Sequence, residues 1–150
     1  MVGAFTCGGN LMGTIRVIPM TGGLTPCESL LQRQSLLSAQ YYEDSWEVGR
    51  LVLAPQYRSG PESLKRCLFL TLLHLVQTTA IKNLFASCSP LLARLYRRFG
   101  FSVLVKDACQ SEGESYCLIH GDVASVLMAL AGNDAEKAEA ARVLPATWKN

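Results

Sequence analysis

An α/β or α+β fold, a mixed central sheet with helices on both faces, is predicted by three observations on this 150-residue chain. Short β-branched runs alternate with longer helical runs from residue 47 onward, two strands close the pattern across Gly113, and Gly and Pro punctuate the borders. With 49% apolar residues, no internal repeat and no low-complexity stretch, the chain can bury one ordinary core. Residues 1–132 read as that domain and 133–150 as a charged, Ala-rich helical tail.

Residues 2–7 and 11–19 are predicted strands joined at Gly8-Gly9-Asn10, which tolerate positive φ. Met20 to Pro26 reads as a loop and Cys27 to Tyr42 as a loosely periodic helix. Glu47 to Leu53 reads as a central strand, apolar on both faces. The helix after it starts near Pro61, with Ser59 or Gly60 as cap, and runs to about Thr79. Leu64, Cys67, Leu68, Phe69, Leu70, Leu72, Leu73, Leu75 and Val76 leave it almost no polar face beyond its first turn, which predicts burial between layers. A strand at 81–87, a helix from Pro90 to Phe99 ended by Gly100, and a strand at 101–106 follow. A strand at 115–120 leads to a helix capped by Asp122 and ended by Gly132.

The net charge of +2 hides an uneven distribution. Residues 58–106 carry eight Lys or Arg against Glu62 alone, whereas 107–150 carry seven acids against three bases. Nucleic acid binding ranks low, because the basic zone lacks interleaved aromatics and any helix-turn-helix or zinc motif. The six cysteines form no C-x-x-C pair, so reduced thiols are expected and no metal site is. The longest apolar run, Cys67 to Val76, is too short to cross a bilayer, and no signal peptide is evident, so a cytoplasmic protein is expected.

The stretch W-E-V-G-R-L-V-L-A-P-Q-Y-R-S-G-P-E-S-L at 46–64 runs from a strand through a basic, glycine-containing loop into a helix. Unpaired N–H groups at the helix start, the positive end of its dipole and the guanidinium of Arg58 converge there, which suits a phosphate.

This stretch and S-P-L-L-A-R-L-Y-R-R-F-G-F at 89–101 together resemble two motifs of the GCN5-related N-acyltransferase (GNAT) superfamily, with Pro61 and Ser63 standing where glycines are usual. G-T-I-R-V-I-P-M-T-G at 13–22 followed by W-E-V-G-R at 46–50 more narrowly resembles the acyl-homoserine-lactone synthases and N-acyl amino acid synthases. The resemblance covers roughly residues 3–120, and the family's N-terminal strand and helices have no counterpart before Met1, so a shortened variant or a fragment is expected. It implies a GNAT-like fold splayed near Leu51 to Pro55, so that a pantetheine arm can lie between strands. It also implies transfer of an acyl group, fatty in the first reading and acetyl from coenzyme A in the alternative, from acyl carrier protein or coenzyme A to an amine. The thioester is a co-substrate, so no permanent cofactor is expected. A carrier-binding module without activity is a further alternative.

On that resemblance Glu47 is the base and Tyr96 the acid; Arg16, Arg50 and Trp46 bind the amine substrate; and Leu53, Arg58, Ser59, Gly60, Glu62 and Ser63 hold the donor. Each has a plainer reading: Glu47 as an ion-pair partner of Arg16 or Arg50, Tyr96 as an anchor between helix and sheet, Arg58 as a surface cation, Trp46 as edge packing. Lys65, Arg66, Arg94, Arg97 and Arg98 form a rim for an acidic carrier protein, or simply a solvated face. Leu68, Phe69, Leu72 and Leu73 line a slot for a fatty chain, or are core. His74 reads as a hydrogen-bonded core histidine, and His120 ends a strand with no partner evident.

Overall fold

The structure, a computed structural model, describes residues 2–7, 9–20, 27, 30, 44–111 and 113–144. Six strands form one sheet: β1 (Val2–Cys7), β2 (Asn10–Pro19), β3 (Ser45–Leu53), β4 (Asn83–Cys88), β5 (Ser102–Ser111) and β6 (Glu114–Asp122). Four helices are described: α1 (Glu62–Thr78), α2 (Pro90–Arg97), α3 (Val123–Leu130) and α4 (Asp134–Val143). The strand order is β1-β2-β3-β4-β6-β5, and every pairing is antiparallel except that of β3 with β4. A parallel pair cannot be closed by a hairpin, and α1 supplies the crossover.

Local chemistry explains where the helices begin. Ser89 caps α2 by accepting from Leu92 N–H, Asp122 caps α3 by accepting from Ser125 N–H, and Asn133 caps α4 by accepting from Glu136 N–H. At the start of α1 Pro61 occupies the cap position and no side chain accepts a hydrogen bond. Gly100 ends α2 at φ +89°, a conformation that favours glycine, and packs so tightly on the Ser125–Val126 backbone that a Cβ would lie 3.2 Å from it.

The main core lies on one face of the sheet. Ile15, Val17, Val48, Leu84, Ala86 and Ile119 meet buried residues of all four described helices there. On the opposite face Met20, Phe85, Ala108 and Leu118 form a second cluster with Cys27 and Leu30. Of the helix expected over 27–42, only Cys27 and Leu30 fall among the described residues, and both are helical and buried.

Several expectations need correction. α1 is not enclosed on all sides: Arg66, Leu70, His74, Gln77 and Thr78 make one exposed stripe at spacings of three and four. His74 therefore lies in solvent rather than in the core, since the core needs only the other three quarters of the helix. β3 begins at Ser45 and β5 runs to Ser111, because cross-strand pairing extends both past their apolar stretches. Of the segment read as a charged helical tail, Asp134–Val143 form α4, with Ala140 and Leu144 buried and Glu136 ion-paired to Arg66 of α1. Among the described residues no helix is long and apolar enough to cross a membrane.

Packing on α1 separates two leucines that sequence alone makes alike. Leu72 is 1% exposed and Leu70 37%. Leu72→Ala is expected to lower stability by about 2–5 kcal/mol and Leu70→Ala by no more than about 0.5 kcal/mol. Urea unfolding of both variants, followed by circular dichroism, checks the contrast.

Candidate active site

β3 and β4 pair only at Ser45↔Asn83, Trp46↔Leu84 and Glu47↔Phe85. Beyond these, β3 stays with β2 as far as Gly13↔Leu53, whereas β4 stays with β6 as far as Cys88↔Cys117. The sheet is therefore split from Val48 onward, three residues before Leu51 to Pro55, where the splay was expected. The physical reason is visible in the β2–β3 register. Between Thr14↔Val52 and Arg16↔Gly49, β2 contributes Ile15 alone while β3 contributes Arg50 and Leu51. That extra residue makes a β-bulge, which bends β3 away from β4 and leaves a backbone group without a ladder partner.

Two cavities meet in this split. The larger, about 560 Å³, lies between β3, the start of α1 and α2, and is lined by Leu51, Leu53, Arg58, Gly60, Leu64 and Tyr96 among others. The smaller, about 380 Å³, occupies the gap itself, between Val48, Gly49 and Leu51 of β3 and Ala86, Ser87 and Cys88 of β4, with Tyr96 and Tyr116 at its walls. Leu51, Leu92 and Tyr96 line both. Each volume falls in the range of small-molecule sites.

At the larger cavity the chain turns through Gly60 at φ +87°, a position that favours glycine, and enters α1 without a side-chain cap. The first amides of the helix have no intrahelical acceptor, so Glu62 and Ser63 present their N–H groups with the positive end of the dipole. Arg58 Nε–H donates to Leu53 carbonyl O at 2.8 Å, which holds the guanidinium beside the cavity while the residue stays exposed. Leu53, Arg58 and Gly60 thus line one space, with Ser59, Glu62 and Ser63 along the same loop and helix start.

Tyr96 stands at the junction of the two cavities. Its ring packs edge-on against Phe101 at 5.5 Å and Phe99 at 6.2 Å, so it anchors α2 as well as facing the cleft. Burial, reinforced by the nearby Cys88 thiol, pushes its phenol up to about 12. Cys88 is itself pushed up to about 11 by burial, with Cys117 adding to the effect. Both groups are therefore neutral and protonated at physiological pH.

Glu47 lies on the opposite face. Its neighbours Trp46 and Val48 pack with the helix-side core, and its cross-strand partner Phe85 belongs to the second cluster. The carboxylate is 6% exposed and accepts from Cys27 N–H at 3.5 Å. Arg16 stands opposite Gly49 on this face, and among the described residues its buried Nε–H has no acceptor. Arg50 lies in the bulge. The structure brings Glu47 and Arg16 to one side of the gap and Tyr96 with the Arg58 loop to the other. Trp46 is directed away from Glu47 and packs against the core.

Other expected residues are placed elsewhere. Leu68, Phe69, Leu72 and Leu73 belong to the core cluster, and α1 contributes Leu64 to the lining of these two cavities. Arg66 is taken up by Glu136, which leaves Lys65, Arg94, Arg97 and Arg98 as the rim. His120 Nε2–H donates to Asn83 Oδ1 at 3.0 Å, and burial lowers its pKa against the opposing influence of Asp122. Among the described residues no cluster of His, Cys, Asp and Glu could hold a metal. Gly49, Ser87, Cys88, Leu92 and Tyr116 line the cleft without having been singled out; a glycine inside the strand motif W-E-V-G-R was the one signal available.

The model of the N-acyl amino acid synthase FeeM family matches residues 1–122, which includes both halves of the split sheet and α2. The chain belongs to the N-acyl amino acid synthase FeeM family. It is accordingly an N-acyltransferase with a GNAT-like fold. The fold is similar to that of the coenzyme A-dependent acyl-homoserine lactone synthase BjaI, solved with SAM and isopentyl-CoA, at TM-score 0.63 and 15% identity, covering 97% of this chain and 65% of that one. It is also similar to the acyl-homoserine lactone synthase LasI, at TM-score 0.59 and 17% identity over 84% of this chain and 66% of that one. Spermidine N-acetyltransferase SpeG from Vibrio cholerae, in a variant form, gives TM-score 0.59 and 13% identity over 84% of this chain and 67% of that one. The chain thus spans about two thirds of the length of these structures. No curated protein matches it in sequence.

The raised phenol carries a sign that titration can read. A group held neutral in the folded state contributes stability in full below the ordinary tyrosine value of 10.0, and that contribution is lost as pH rises toward about 12. Wild type is therefore expected to lose more stability than Tyr96→Phe between those limits. Parallel urea melts across that pH window check it, with ultraviolet titration of the phenolates as a second readout.

Proposed function

We propose that the split sheet receives a fatty acyl thioester carried on phosphopantetheine and transfers the acyl group to the amine of an amino acid. The observation that carries this reading is the meeting of the two cavities at Tyr96, one running to an uncapped helix start beside Arg58 and the other opening toward the face of Glu47 and Arg16. Phosphate suits the amides of Ser59, Gly60, Glu62 and Ser63 and the Arg58 guanidinium. From there the pantetheine arm extends past Leu53 and Leu51 into the gap, where the open edges of β3 and β4 offer it backbone hydrogen bonds.

The chemistry divides between the two faces. Glu47 takes the proton of the ammonium, directly or through water, and the freed amine nitrogen attacks the thioester carbonyl carbon. A backbone N–H released from the ladder at the Arg50–Leu51 bulge would suit the oxyanion. As the tetrahedral intermediate collapses, the C–S bond breaks and Tyr96 O–H delivers its proton to the departing thiolate, while the proton released by the acylated nitrogen passes to water and one from water restores the phenol. Arg16 and Arg50 orient the carboxylate or carbonyl of the acceptor. Trp46, turned toward the core, keeps strand and helices in register rather than walling the amine.

The donor's carrier is read as acyl carrier protein. Arg94, Arg97 and Arg98 stand on or just after α2, Lys65 lies on α1, and Leu91, 76% exposed, stands beside them. A basic rim around an exposed leucine suits an acidic protein, with coenzyme A as the alternative donor. Plain acetyl transfer is the second reading, compatible with the fold shared with N-acetyltransferases such as SpeG.

Glu47→Gln is expected to fold as wild type and to lose about 10²–10⁴-fold in kcat. Mass spectrometry of N-acyl product from decanoyl acyl carrier protein and an amino acid measures it, and unchanged turnover removes Glu47 from the mechanism. With acyl carrier protein as donor, KM is expected to rise steeply between about 0.05 and 0.3 M salt; a flat response counts against the rim.

A further inference from the structure

Gly49 is an unexpected residue for its position. It lies inside β3, where glycine weakens a strand, and its φ is outside the region that favours glycine. Steric crowding does not require it either: a Cβ built there meets no atom within 4 Å among the described residues. Gly13, its counterpart on β2, differs, because a Cβ there would lie 2.8 Å from Val52 O and from Leu53 Cδ2. Neither backbone conformation nor packing among the described residues therefore accounts for a glycine at 49. Among the described residues the missing side chain leaves its position unfilled, and Gly49 lines the cleft with Ser87 across the gap.

The surroundings of this space say what it holds. Arg16 is the direct cross-strand partner of Gly49, so its Cα lies about 5 Å away with its side chain on the same face. Its buried Nε–H lacks an acceptor among the described residues, which is costly unless a guest supplies one. Glu47 is two residues along the same strand, about 7 Å away and on the same face. A guanidinium and a carboxylate thus flank a position that no described residue fills.

We infer that Gly49 is a specificity-determining residue for the acceptor: the carboxylate of the incoming amino acid rests over its bare backbone against Arg16, with the amine on the neighbouring carbon toward Glu47. This rests on the N-acyl transfer reading above. The open position selects amines that carry an anionic group on the adjacent carbon, and any side chain at 49 takes the place of that group. The thioester arm meets residue 49 only along its backbone edge, whereas a side chain there would point to the Glu47 face, so donor binding does not depend on which side chain residue 49 carries.

Gly49→Ala and Gly49→Val separate these roles. Wild type and both variants are assayed with decanoyl acyl carrier protein and, in parallel, decanoyl-CoA, against glycine and tyrosine, with thermal melting of each protein. The expected result is a Tm equal to or above that of wild type, an acceptor KM raised several-fold by Ala and about tenfold or more by Val, and a donor KM within about twofold. An unchanged acceptor KM in Gly49→Val overturns the inference while leaving N-acyl transfer standing. Donor and acceptor KM rising together, or a lowered Tm, also overturns it, since residue 49 would then act on the sheet. If wild type forms no N-acyl product with either donor, the transfer reading itself fails and the inference falls with it.

Discussion

Ser45, Trp46 and Glu47 hydrogen-bond along Asn83, Leu84 and Phe85, and at that point the two halves of the sheet part. β3 remains bound to β2 and β4 to β6, so neither half is free to swing back and close the ladder. The bulge at Arg50–Leu51 enforces the parting, because one strand residue too many twists β3 out of the plane of β4. Backbone edges that a sheet would ordinarily pair are thus left facing a cavity, at a cost the rest of the core must offset. All four described helices pack on one side of this divided sheet, and that one-sided core holds the halves apart while leaving the gap passable.

The division puts two kinds of chemistry on two faces. On the helix side stand the things a phosphopantetheine thioester needs: an uncapped helix start, a guanidinium steadied by Leu53 carbonyl O, apolar walls, and a phenol held neutral by burial. On the other side stand a buried carboxylate and a buried guanidinium nitrogen without an acceptor among the described residues. The helix starts make the contrast sharper. α2, α3 and α4 each satisfy a first-turn amide with Ser, Asp or Asn, and α1 alone among the described helices begins behind Gly60 and Pro61 with nothing to accept.

Much of this was legible in the chain because the governing signals are local. Pro61, Gly60 and Arg58 announced the helix start, Asp122 and Gly100 marked helix ends, and β-branched runs marked the strands. What could not be read depends on contacts between distant segments. α1 has so few polar residues that its exposed stripe, with Leu70 and His74 in it, emerges only when the sheet beneath it is known. The position of the splay follows from a register between β2 and β3, and a bulge has no composition of its own. Trp46 and Glu47 are adjacent in sequence and opposite in space, as strand alternation requires, so assigning both to one substrate ignored the pleat. Arg66 looked like part of a basic rim until α4 brought Glu136 to it.

The central claim is that the gap between β3 and β4 is where the thioester lies, and a crystal structure with a decanoyl-pantetheine thioether, which cannot transfer its chain, tests it most directly. The account predicts the arm between Val48–Leu51 and Ala86–Cys88, sulfur beside the Tyr96 hydroxyl and phosphate at the amides after Arg58. A ladder closed along the full length of β3 and β4, or an arm bound outside the split, would contradict it.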